Sequence, residues 1–164
     1  MSIALLIIDL QKEYFKDGVR EPELSDALEY INETSQFFRQ ADKPVVIIQH
    51  TGERNPLDSV GYEVVDALHV EDSDYRISKT FCNAFWQTEL TALLRDMDIE
   101  LVVCCGFAAQ YCVLFTYNGA DERGFKAALL QNGIVGINKE NAQQVQQMRE
   151  VISIDAIEFM LSKL

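Results

Sequence analysis

The sequence predicts an α/β fold, a three-layer αβα arrangement around a mainly parallel central sheet. Two observations carry that expectation. Runs of Ile, Val and Leu without polar alternation recur along the chain, as strands buried on both faces require, and stretches with apolar residues at helical spacing separate them. The resulting βαβα alternation puts helices on both sides of one sheet.

The elements follow in order. Ile3 to Ile8 is the first buried run and stops at Asp9. Leu24, Leu28, Ile31 and Phe38 share one face of a first helix. Val45 to Gln49 is the second run, ended by His50, and the short segment "YRIS" leads to Lys79. Trp86, Leu90, Leu93 and Met97 predict the apolar face of a second helix. "LVVCC", Leu101 to Cys105, is the third run, followed by a loop containing Gly106 and by the helical stretch "VLFTYNGADERG", which Cys112 opens and Gly124 stops. Ala127 to Gln131 is a weaker fourth run. No repeat, low-complexity segment or linker interrupts the 164 residues, so a single domain over 1–164 is expected.

Composition excludes several functions. The apolar fraction of 48% and charged fraction of 24% are ordinary for a globular chain. A formal charge of -12, with no Lys/Arg cluster, opposes binding to a phosphate backbone, so no nucleic-acid partner is expected. The run from Ile3 to Ile8 is too short for a signal-peptide core or a membrane span. A cytoplasmic protein with a small-molecule substrate and no membrane partner is the expectation. In a reducing compartment its four cysteines are thiols.

Three of those cysteines, Cys104, Cys105 and Cys112, fall within nine consecutive positions. A metal site is not expected: there is no Cys-x2-Cys pair, Cys104 and Cys105 point to opposite faces of their strand, and the only histidines are His50 and His69. Cys104 and Cys105 read as small core residues. Cys112 sits where a helix start favours a thiolate. In open parallel sheets ligands bind at the carboxyl ends of the strands. That rule brings Asp9, Lys79 and Cys112 to one rim from three distant parts of the chain.

The residues also carry a resemblance. "ALLIIDLQKEY", with Asp9, Gln11 and Tyr14, resembles the opening Asp-x-Gln-x-x-aromatic segment of the isochorismatase-like cysteine hydrolases, a family that includes nicotinamidases and related amidases. "ISKTFCNAFWQTEL" is similar to the family's Lys-containing segment, and "GFAAQYCVLFTYNGADERGF" to its Gly-x-x-Thr-x-x-Cys-Val segment, in the family's order. The resemblance implies Asp9, Lys79 and Cys112 as a catalytic triad and a non-proline cis peptide before Ala108. It implies an oxyanion hole from the backbone N–H groups of Ala108 and Cys112, no cofactor, and a homo-oligomer. Tyr14, His50, Phe81, Phe85 and Tyr111 are the candidate substrate-binding residues.

The departures are informative too. Ala109 stands where the family usually has Thr. "IIQHTGERNPLDSVG" lacks the Asp-x-His ligand pair of nicotinamidases, so a metal-free amidase type is expected, with no metal at the site. In the chemistry this implies, Lys79 and the helix start lower the thiol from its free value of about 8.5, and Asp9 shuttles the proton. An isochorismatase-type vinyl-ether hydrolase, which needs only an acid, and a non-catalytic binding or assembly protein are the alternatives. A response-regulator-like phosphoacceptor is disfavoured because "GFAAQ" lacks an acid after the third run, and a dinucleotide site because no Gly-rich loop follows Asp9.

Overall fold

The computed structural model describes residues 2–163. Six strands form one parallel sheet: β1 (Ile3–Ile8), β2 (Val45–His50), β3 (Tyr75–Lys79), β4 (Leu101–Phe107), β5 (Lys126–Val135) and β6 (Val151–Ile152). Their order across the sheet is β3-β2-β1-β4-β5-β6, with every neighbouring pair parallel. The continuous apolar run of β1 belongs at the centre, where its six residues are all buried between β2 and β4.

Helices cover both faces. The long α2 (Glu21–Gln40) begins with Pro22 in its first turn and acids at Glu21 and Glu23, and ends with Arg39, in keeping with the helix dipole. Its Leu24, Leu28, Ile31 and Phe38 enter one core with Leu5, Ile7, Val103 and Cys105, together with Ile157 and Leu161 of α6 (Ile154–Leu161). On the other face Leu90 and Leu94 of α3 (Leu90–Asp96), Tyr117 and Ala120 of α4 (Leu114–Asp121) and Val145 of α5 (Lys139–Met148) pack on Leu6, Ile8, Ile48 and Cys104. A short α1 (Lys12–Phe15) follows β1.

Some expectations need correcting. The helix predicted from Trp86 begins at Leu90, and Trp86 is 52% exposed, so it does not share the buried face. Cys112 does not open an α-helix: residues Ala109–Val113 form a π-turn, and regular α-helix begins at Leu114. Strand β4 runs two residues past Cys105, through Gly106 to Phe107.

Gly106 explains how that extension fits. It pairs with Ile8 in the β1–β4 ladder and has φ +111, and a Cβ there would lie 2.0 Å from the Ile8 carbonyl oxygen. Only glycine allows β4 to press this closely on the end of β1. Asp9 and the loop after Phe107 thereby leave the sheet side by side.

Candidate active site

Strands β1, β2 and β3 each deliver one group to the carboxyl-end rim of the sheet. Asp9 follows β1; its N–H still bonds the Ile48 carbonyl at 2.9 Å, and then its φ of 51 turns the chain away. That left-handed conformation is uncommon for any residue but glycine, although Asp tolerates it better than most. His50 and Lys79 are the last residues of β2 and β3 and pair with each other in the ladder. Residues pairing directly across a parallel ladder present their side chains to one face.

The side chains converge. Lys79 donates to Asp9 Oδ2 at 2.7 Å and to Cys112 Sγ at 3.3 Å, and its Nζ stands 3.3 Å from His50 Nδ1. Both members of the Lys79–Asp9 pair are sealed from solvent, with side-chain exposures of 0% and 1%. Asp9 Oδ1 is buried and has no hydrogen-bond partner among the described groups. A buried carboxylate oxygen without a partner is costly.

Electrostatics set the protonation states. Burial lowers the Lys79 pKa, but the charges of Asp9 and Cys112, with their hydrogen bonds, outweigh it and hold the group above its usual value. It is an ammonium. Burial pushes the Cys112 thiol up, the Asp9 charge pushes it further, and Lys79 opposes both without reversing them. The sequence expectation of a lowered thiol pKa is therefore corrected: no α-helix begins at Cys112, and the neighbouring carboxylate outweighs the ammonium. His50 is pulled below its usual value, first by burial and then by the Lys79 charge.

The other predicted residues divide. Tyr14 is half-buried, its ring 5.4 Å from that of Phe107, and its phenol is raised by burial and by the charges of Asp9 and Cys112, so it stays a protonated hydroxyl at the rim. Phe81 and Tyr111 are exposed beside Lys79 and Cys112 in sequence. Phe85 is not at the rim. It is buried in the core, stacked at 5.8 Å on Phe125, with the Arg123 guanidinium 5.4 Å from the centre of its ring. The Phe107–Ala108 peptide is cis, and Ala108 accepts from Tyr111 and Val113 through its carbonyl, at 3.0 and 3.2 Å. Ala109 is fully buried.

Two residues with no assigned role hold the rim together. Gln11 accepts from the His50 N–H at 2.7 Å and donates to the His50 and Tyr62 carbonyls at 2.9 and 3.0 Å. Asn55 donates to the same His50 carbonyl at 2.7 Å. Both are buried. Gln11 was visible in its motif. Asn55 lies in an irregular loop, where its one signal is a polar residue placed directly before Pro56.

Among the described residues no group of three or more His, Cys, Asp or Glu is arranged to hold a metal ion. His50, the histidine at this rim, already meets Lys79 through Nδ1. The donor set does not fit a resident metal. A cavity of about 540 Å³ opens near Pro44, Val45 and Tyr75, where β2 and β3 begin, away from the rim. Its Arg39 is already engaged by Asp74 at 3.0 and 2.8 Å, which leaves that cavity without the chemistry of the rim.

Comparison with known proteins gives a consistent pattern. The isochorismatase domain matches residues 3–155. The isochorismatase family protein YddQ of Bacillus subtilis is 27% identical over 140 residues, covering 80% of this chain and 77% of that protein. Streptothricin hydrolase of Streptomyces noursei is 26% identical over 129 residues, 77% of this chain but 47% of that enzyme. The crystal structure of N-carbamoylsarcosine amidase from Thermoplasma acidophilum superimposes with a TM-score of 0.83 at 22% identity, covering 94% of this chain and 98% of that one, which is a likeness of fold.

Proposed function

From the premise that the chain belongs to the isochorismatase domain family and is a hydrolase, we propose that it is a cysteine hydrolase cleaving the C–N bond of a small amide or related acyl compound through a thioacyl-enzyme intermediate. The observation that carries this reading is the Lys79 ammonium, which donates to both Asp9 Oδ2 and Cys112 Sγ while Asp9 Oδ1 is left without a partner. A proton acceptor, a cation and a sulfur in one site are the parts that nucleophilic acyl transfer requires. A vinyl-ether cleavage needs only an acid and would leave Cys112 idle.

The steps follow from the charges. In the resting site Cys112 is a thiol and Asp9 a carboxylate. As sulfur attacks the acyl carbon, the thiol proton passes to Asp9, and Lys79 stabilises the negative charge growing on sulfur. The C=O electrons move to oxygen, and the backbone N–H groups of Ala108 and Cys112 are the proposed donors to that oxyanion, a role worth about 2.7–4 kcal/mol per donor in comparable sites. Asp9 then returns its proton to the nitrogen, the C–N bond breaks and the amine departs. Water attacks the thioester with Asp9 accepting its proton, and the proton goes back to sulfur as the acid is released. One amide and one water give one acid and one amine.

Tyr14, Phe81 and Tyr111 remain the proposed substrate contacts, a tyrosine hydroxyl and two aromatic surfaces around the thiol. Tyr111 and Phe115, both about half exposed and one helical turn apart, support the further proposal that a second copy of the chain covers this rim. A panel of small amides assayed for amine or ammonia release, with Cys112→Ser alongside, tests the reading. Release that is lost in Cys112→Ser is expected; an unchanged rate in that variant would overturn it.

A further inference from the structure

We propose that His50 is a positioning residue for Lys79: its neutral imidazole accepts the third N–H of the ammonium at Nδ1 and so fixes the direction of the other two. The proposal rests on the hydrolase reading only in taking Cys112 as the group whose reactivity Lys79 controls.

A lysine ammonium has three donors and no acceptor. Two of the three go to Asp9 Oδ2 and Cys112 Sγ, and the remaining neighbour within hydrogen-bond reach is His50 Nδ1 at 3.3 Å. Since lysine can only donate, His50 Nδ1 is the acceptor and its proton sits on Nε2. The Lys79 side chain has no access to solvent. An N–H left unsatisfied there has no water to replace the partner.

The backbone of His50 is held more firmly than a strand end requires. Its N–H goes to Gln11 Oε1, and its carbonyl takes donors from both Gln11 and Asn55. The Thr51 N–H bonds the Lys79 carbonyl at 2.9 Å, which locks the two strand ends in register just beyond their paired residues. Two buried amides thus clamp the one residue whose ring meets the lysine.

A consequence for pH follows. The charged groups acting on the His50 ring are Lys79 from β3 and Asp9 from the end of β1; Gln11 and Asn55 are neutral. Imidazolium has no lone pair at Nδ1 and would set one cation against another. Protonation of His50 therefore removes the acceptor and releases Lys79 from its direction.

The test reads sulfur reactivity and does not depend on knowing the substrate. The rate of Cys112 alkylation by iodoacetamide, followed by peptide mass spectrometry across pH, is compared in the wild type, His50→Ala and His50→Asn. In Asn the side-chain oxygen stands near the place of Nδ1 and does not titrate. His50→Ala should label about tenfold more slowly at neutral pH, as the loss of a hydrogen bond to a charged group implies. In the wild type the rate should fall further on the acid side as His50 is protonated, and His50→Asn should recover most of the neutral rate without that extra fall. Wild-type labelling in His50→Ala would overturn the proposal. So would a His50→Asn variant that keeps the wild-type acid fall, a comparison that holds even if the alanine variant does not fold. If no amide is cleaved and the His50→Ala and His50→Asn rates still separate, the hydrolase reading falls and this one stands.

Discussion

The ammonium of Lys79 and the carboxylate of Asp9 meet at 2.7 Å with both side chains closed to solvent. Seventy positions apart in the chain, they are joined only because β1 and β3 flank β2 and end at the same rim. Removing one partner of a buried pair strands the other charge, at a cost of about 3–5 kcal/mol. Lys79→Met should therefore lower unfolding free energy by that order, measured by urea denaturation. The double variant Asp9→Asn with Lys79→Met, which buries no charge, should be more stable than Lys79→Met alone. Additive losses would mean the two groups do not form one unit.

Thiol reactivity and turnover should move in opposite directions when Asp9 is replaced. The Asp9 charge raises the Cys112 pKa and Lys79 lowers it. Asp9→Asn should shift alkylation of Cys112 to lower pH and speed it at neutrality, yet turnover should nearly vanish because the amine leaves unprotonated. Lys79→Met should shift alkylation to higher pH. Rates of labelling and of turnover that fall together in Asp9→Asn would contradict the proton-shuttle role.

Cys104 and Cys105 should resist alkylation in the folded protein. Both are fully buried, and burial pushes the Cys104 thiol up to about 12 and Cys105 well above the usual range. Labelling of either before Cys112 in native protein would place the reactive sulfur on β4 instead of after it.

Much of this site was legible because it obeys a strand-end rule. Asp9 and Cys112 follow apolar runs and Lys79 follows the short segment "YRIS", and continuous runs such as Ile3 to Ile8 announce a strand buried on both faces. The aromatic residues were harder. Phe81 and Phe85 sit four apart in one motif, yet Phe81 is exposed and Phe85 lies in the core against Phe125, a distinction made by tertiary packing that no local pattern carries. Trp86 kept helical spacing with Leu90 while the chain was still in the loop before α3. The thiol's electrostatics were also hidden. They depend on burial and on the charge of Asp9, which together outweigh Lys79, whereas the sequence pointed to Lys79 and a helix start as lowering the thiol. Asn55 left no periodic trace because its loop has none.

Gly106→Ala should cost about 2–3 kcal/mol or more, since a methyl would meet the Ile8 backbone and the residue would hold a strained φ. The loss should appear as a lowered urea midpoint with turnover falling as well, because Ile8 precedes Asp9. Wild-type stability in this variant would show that β4 does not approach β1 as described.

Prolonged chelation should leave turnover unchanged, because the described residues offer no metal-holding cluster and His50 Nδ1 is committed to Lys79. A loss of activity restored by zinc, iron or manganese would show that the rim is completed by a metal.

In the proposed reaction Cys112 carries the acyl group. Acid quenching during turnover of a cleaved amide, followed by mass spectrometry of the Cys112 peptide, measures it directly. A mass increase equal to the acyl group is expected on Cys112, formed within one turnover and lost as product acid appears. Steady amine release with an unmodified Cys112 peptide at every quench time would contradict it.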